Sequence, residues 1–208
     1  MFYIEPMYLV FAIPGLIVAG LASMYTHTMF MEYSRKRASS GMTGAEAAAR
    51  MLSRAGINDV RIERVDGFLS DHYDPLAKTL RLSPKVYDED SLSAIGVACH
   101  EAGHALQHAA GYFPMHIRSQ LVPMANIGSY LSYGAIILGF ILQAGHLVML
   151  GAILFSAVVL FSIVTLPVEW DASARAKKLM VSSGIVSEQE RDGAGKVLNA
   201  AFMTYVAA

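Results

Sequence analysis

The chain has 208 residues, a formal net charge of −1 and a single cysteine. Near-neutrality and the lack of a basic stripe with interleaved aromatics argue against a nucleic-acid partner, and one cysteine excludes an internal disulfide or a paired-cysteine metal knuckle. Hydrophobic residues make up 54% and charged residues 16%, and the mean hydropathy of +0.42 reflects apolar residues gathered into three segments.

The first segment, about 5–25, reads EPMYLVFAIPGLIVAGLASMY and carries no charge after Glu5. It lacks a basic leader and is long for a cleaved signal, so it reads as a retained anchor. The other two lie in 119–168, a tract without Asp, Glu, Lys or Arg. It divides at QAGH (143–146), leaving about 20 apolar residues on each side, the length a bilayer-spanning helix needs. Arg35, Lys36 and Arg37 follow the first span, Arg118 precedes the second, and Arg175, Lys177 and Lys178 follow the third. The N-terminal stub and the loop at His146 have no Lys or Arg. Positive charge marks the cytoplasmic side, so 27–118 and the C-terminal tail are expected in the cytoplasm, with the lipid bilayer as a partner.

Within 27–118, the stretch TGAEAAARMLSRA (43–55) reads as a helix capped by Thr43 and ended by Gly56. VRIERV (60–65) is strand-like, and Gly67 and SDHYDP form a turn-rich link. In KTLRLS (78–83), Leu80 and Leu82 alternate with polar neighbours, as on a half-buried strand. Pro84 closes that run, and a helix begins at Asp90 or Ser91 and continues to about Ala110. The order helix, strand, strand, helix predicts a small α+β region, too thin for independent stability and expected to lean on the membrane helices. Cys99 reads as a small core residue.

The last of these helices contains CHEAGHALQH (99–108). Residues four apart share a helix face, so His100 and His104 can aim at one Zn²⁺, with Glu101 placed beside them to act on a metal-bound water. Ala102 and Gly103 between them allow another segment to approach closely. His108 lies about 12 Å from His100 along the axis at 1.5 Å per residue, too far to share the ion, and reads as a bystander. The longer HExxHxxGxxH pattern fails, because Gln107 and Ala110 stand where Gly and His would be.

A catalytic zinc needs a third protein ligand. Glu169, in LPVEWDASARAKK (166–178), is the first charged residue after the third span. A carboxylate at the end of a membrane helix calls for solvent or a partner, so it is either that ligand or an interfacial surface group. Pro167 before it suits a kink or a helix start. Asp171 and Arg175 are spaced for an intrahelical ion pair. Two alternatives stand beside the peptidase reading: an intramembrane zinc protease of the site-2 type, drawing its last ligand from RDG (191–193), and a non-enzymatic membrane metal-binding scaffold.

HEAGHALQHA, LPVEWDASARA and KVLNAAFMTYVAA, together with MYLVFAIPGLIV, DHYDP and KTLRLSPKVY, resemble the YugP-type bacterial membrane zinc metallopeptidases over almost the whole chain. These neutral zinc metallopeptidases are gluzincins related to HtpX-like and prenyl-processing proteases. The resemblance implies a mainly α integral membrane protein with at least three transmembrane helices and a small α+β zincin-like cytoplasmic domain. It also implies Zn²⁺ held by His100, His104 and Glu169, with Glu101 as general base. Gluzincins often carry Asp four residues after the ligand Glu. Here Ser173 occupies that place and Asp171 stands nearer, so either is a candidate supporting residue. Arg175, Tyr205, His116 and His72 are candidates for stabilising the oxyanion, and the Leu80 strand is a candidate edge for an extended substrate.

The expected organisation is an anchor over 1–26, a zincin-like cytoplasmic region over 27–118, two transmembrane helices over 119–168, and a C-terminal helical region over 169–208 bearing the third ligand. The resemblance implies a further hydrophobic segment after TYVAA, so the chain is expected either to be cut short before that span or to have lost it. The expected activity is metalloendopeptidase cleavage of membrane or juxtamembrane proteins at the bacterial inner membrane.

Overall fold

The computed structural model describes residues 6–67 and 70–207; the expected start of the first span at Glu5 lies outside them. The chain is mainly helical. Helix α1 (Pro6–Tyr33) is followed by α2 (Gly44–Arg54), strands β1 (Arg61–Arg64), β2 (His72–Asp74) and β3 (Thr79–Leu82), and the short α3 (Pro84–Asp88). Four long helices complete it: α4 (Leu92–Ala109), α5 (Phe113–Ile141), α6 (Gly145–Ser182) and α7 (Glu188–Ala207).

Local signals explain where these elements begin. Thr43 caps α2 in a full capping box, its side chain accepting from the Glu46 N–H while the Glu46 carboxylate accepts from the Thr43 N–H. Gly56, at φ +75°, supplies the left-handed residue that ends the helix. Ser91 caps α4 by accepting from the Ala94 N–H at 3.2 Å.

The sheet has order β1-β3-β2, with β1 parallel and β2 antiparallel to β3. Two expectations change here. SDHYDP contains a strand, so the region has three strands and a short α3 where the sequence predicts two strands. β3 is the central strand, covered on both edges, so the Leu80 strand offers no edge to a substrate. Its Leu80 and Leu82 are fully buried. The turn into β3 is held by Asp74, whose Oδ1 accepts from the Leu76 and Ala77 N–H groups.

Among the described residues, three helices are long and apolar enough to cross a bilayer: Ile13–Tyr33 of α1, Phe113–Ile141 and Gly145–Ser182. Their large apolar side chains point outward, among them Leu16, Leu21, Tyr130, Leu138, Ile153 and Leu160. Outward-facing apolar surface on this scale calls for lipid as its solvent. Pro167 lies inside α6 and does not start a helix: α6 continues unbroken from the apolar tract into the charged segment after it.

The chain forms two compact units, one running to Ala110 and resuming at Trp170, the other Gly111–Glu169. In the first, α7 packs on α1 and α4, and α2 packs on α4. Thr26 of α1 donates its hydroxyl to the Ala200 carbonyl of α7 at 2.7 Å. In the second, Ser132 of α5 donates to the Gly151 carbonyl of α6 at 2.9 Å.

Candidate metal centre

The α4 periodicity puts Ile95, Ala98, Cys99, Ala102 and Ala105 in the core and His100 and His104 on successive turns of one face, their ring centroids 4.9 Å apart. Gly103 faces the first turns of α6 beyond the apolar tract, where the Ala172 backbone leaves no room for a side chain. This close crossing is what the small residue between the histidines permits.

One ligand atom from each of His100, His104 and Glu169 lies within 4.8 Å of the other two. Glu169 is almost fully buried, and its Oε1 is 3.2 Å from Arg118 Nη2. Each imidazole is oriented through Nδ1. His104 Nδ1 stands 2.9 Å from Gln107 Oε1, and Gln107 Nε2 donates to Asp171 Oδ2 at 2.8 Å. Asp171 also accepts from Arg175 Nε at 2.6 Å, closing a chain from His104 to Arg175. His100 Nδ1 is 3.1 Å from Ser173 Oγ. With Nδ1 so engaged, Nε2 is the ring nitrogen each histidine could offer a metal, the arrangement in which a bonded ring nitrogen fixes tautomer and direction for the other.

The donor set tests well against zinc. Two imidazoles and one carboxylate are a known protein set for a catalytic Zn²⁺ that leaves one position for water.

Glu101 is half-buried beside His100. Both line a cavity of about 440 Å³ walled by Thr26, His27 and Phe30 of α1 and by Leu198 and Tyr205 of α7. Among the four oxyanion candidates, Tyr205 is the one in this cavity. Arg175 is bonded to Asp171. His72 lies on β2, its Nδ1 bonded to the Ser70 carbonyl. His116 is on α5. His108 bonds through Nδ1 to the Tyr73 hydroxyl at 2.8 Å. Burial, with Asp59 and Asp74 adding to it, pushes Tyr73 up to about 12. Burial likewise pushes the Cys99 thiol up to about 12, making it a core group and not a nucleophile. Asp192, which the site-2 alternative needs as a ligand, is exposed on α7 against Arg191. Sequence reasoning misses Gln107 as a support, since in the chain it reads only as a departure from a longer histidine motif.

Comparison with known proteins agrees with this geometry. Residues 8–208 match the family described as "Putative neutral zinc metallopeptidase". The chain is similar to the "Putative membrane protease YugP" of Bacillus subtilis (strain 168), with 45% identity over 202 residues, 97% of this chain and 90% of that protein. No solved structure matches.

Proposed function

Since the chain belongs to this zinc metallopeptidase family, we propose that it is a membrane-anchored endopeptidase that cleaves membrane or juxtamembrane proteins. His100, His104 and Glu169 are its zinc ligands and Glu101 is its general base. The observation that carries the reading is the convergence of these three ligand atoms within 4.8 Å, with Glu101 beside His100 on a shared cavity.

When bound, zinc supplies a Lewis acid and lowers the pKa of water toward about 7. Glu101 takes the proton of the attacking water and returns it to the leaving amine, a general acid–base role worth about 10²–10⁴-fold. The Tyr205 phenol donates to the developing oxyanion. Ser173 and the Gln107–Asp171 pair hold the two imidazoles in their ligating tautomer.

Basic residues flank the spans on one side, which supports a site at the cytoplasmic face of the bacterial inner membrane. On this reading 1–26 is the anchor, 27–118 the zincin-like region, 119–168 the membrane hairpin and 169–208 the segment that brings the third ligand.

The test is zinc content and peptide-bond hydrolysis of the detergent-purified protein against a peptide library read by mass spectrometry. The parent should hold about one zinc per chain, Glu169→Ala should lose it, and Glu101→Gln should keep it while losing cleavage. Zinc retained in Glu169→Ala would undo the ligand set. Unchanged cleavage in Glu101→Gln would remove the general base, and a parent that holds zinc but cuts no peptide would favour the scaffold.

A further inference from the structure

Away from the Glu101 cavity, the segment of α6 after its apolar tract and the facing side of α7 enclose an open groove of about 660 Å³. Its lining is divided. At one end Trp170 and Phe202 meet edge to face, ring centroids 5.4 Å apart, and Trp170 remains 61% exposed. Toward the other lie Lys177, Lys178, Lys196 and Arg191.

The two helices carry similar spacings. Lys177 is seven residues from Trp170 on α6, and Lys196 is six from Phe202 on α7, so each cation sits about 10 Å from its aromatic along the helix axis. Trp170 follows directly on the last residues of the apolar tract, the position at which tryptophan settles among lipid headgroups. Lysine stems reach several ångströms back toward that level.

The charge is not internally balanced. Arg191 is compensated by Glu188 at 3.0 Å and by Asp192 at 3.7 Å. Among the described residues, none of the three lysines has a carboxylate within ion-pair distance. Lys177 donates instead to the neutral Asn199 amide oxygen. Glu32, which feels the charge of Lys196, is itself bonded to Lys36. Lys178 and Lys196 are exposed and Lys177 half-buried. An aromatic end at membrane level and an uncompensated ammonium cluster about 10 Å beyond it match one kind of amphiphile.

We propose that this groove binds an anionic phospholipid. Lys177, Lys178 and Lys196 take the phosphate, and Trp170 and Phe202 cover the glycerol and first acyl carbons. The site does not depend on the peptidase reading. It does share a wall with the metal centre, since Ser173 lines the groove while its Oγ contacts His100.

Trp170 is the only tryptophan in the chain, so its fluorescence, excited at 295 nm, reports this groove alone. The intact protein in mild detergent is titrated with short-chain phosphatidylglycerol, short-chain phosphatidylcholine and inorganic phosphate. Phosphatidylglycerol should give a saturable change at least tenfold tighter than phosphatidylcholine, weakened by raising salt. The triple variant Lys177→Gln, Lys178→Gln, Lys196→Gln should lose at least tenfold in affinity, with zinc content and far-UV circular dichroism unchanged. Lys178→Gln alone should lose part of it, and Lys85→Gln, on α3, none. Equal binding of the two lipids, or a triple variant that folds and binds like the parent, would overturn the proposal. Inorganic phosphate saturating as tightly as phosphatidylglycerol would make this a free-anion site and overturn the lipid assignment. An acidic peptide displacing phosphatidylglycerol at lower concentration than the lipid's own would reassign the groove to a protein tail.

Discussion

Gly103 and Ala172 are in backbone contact: a Cβ on Gly103 would stand 2.6 Å from the Ala172 carbonyl oxygen. Ala172 precedes Ser173, whose Oγ is 3.1 Å from His100 Nδ1, so the crossing also sets the support of that imidazole. Gly103→Ala should force the helices apart, costing about 1–3 kcal/mol of stability and weakening zinc together with the fold. Thermal unfolding in detergent and zinc content measure the two. An unchanged midpoint with full zinc would show that the crossing has room the geometry denies.

Gln107 Oε1 stands 2.9 Å from His104 Nδ1, so its effect on a bound metal would run through that ring. Gln107→Leu removes the acceptor for Nδ1 and leaves a similar volume, so zinc affinity should fall about 10–100-fold. Competition with a fluorescent chelator reads this directly, independently of turnover. Ser173→Ala should weaken zinc by the same route through His100. A Gln107→Leu variant with parental affinity would reduce the Asp171–Gln107–His104 chain to packing.

Tyr205→Phe tests the donor assigned to the oxyanion. Removing one such donor typically costs about 10²–10³ in kcat, while zinc content and KM should change little. A loss in KM alone would mean that the hydroxyl binds substrate and does not favour the transition state.

Stability should fall at both ends of the pH scale. The bond from Arg81, followed by the Ala77 N–H, holds the Asp74 carboxyl below its usual range. A depressed folded-state pKa gives stability that is present above the ordinary carboxylate value and is lost as pH falls through the folded one. Tyr73 and Cys99 are raised to about 12 from 10.0 and 9.0. Their contribution is complete below those ordinary values and is lost as pH rises toward 12. Thermal midpoints from pH 3 to 11 should show both limbs, with Asp74→Asn flattening the acid one. In the folded protein Cys99 should resist alkylation at pH 8.

Much of the site could be read in the chain because its pieces are local. The four-residue step from His100 to His104 is a property of one helix, and Glu169 stands out as the first charge after a long uncharged tract. Gly103 could be read as permission for a close approach, though not for which helix. Gln107 could not be read as a support, because an amide becomes one only when α6 brings Asp171 to its far side. The sheet failed for a related reason. DHYDP is bounded by turn residues, and one strand-favouring Tyr73 is too little for a strand of its own; its three-residue strand exists through pairing with β3. That pairing also puts β3 in the middle, which no alternation within KTLRLS could announce.

Helix α6 runs 38 residues without a break, about 57 Å, from its apolar tract past Glu169 to the lysines. On the proposed reading, a ligand carried at the end of an apolar span is tethered to the lipid surface. Scissile bonds would therefore be met by lateral diffusion in two dimensions, and the rate would follow the surface density of substrate in the membrane and not its concentration in the cell volume. Diluting the same enzyme and substrate into more lipid, at constant bulk concentration, should slow cleavage in proportion.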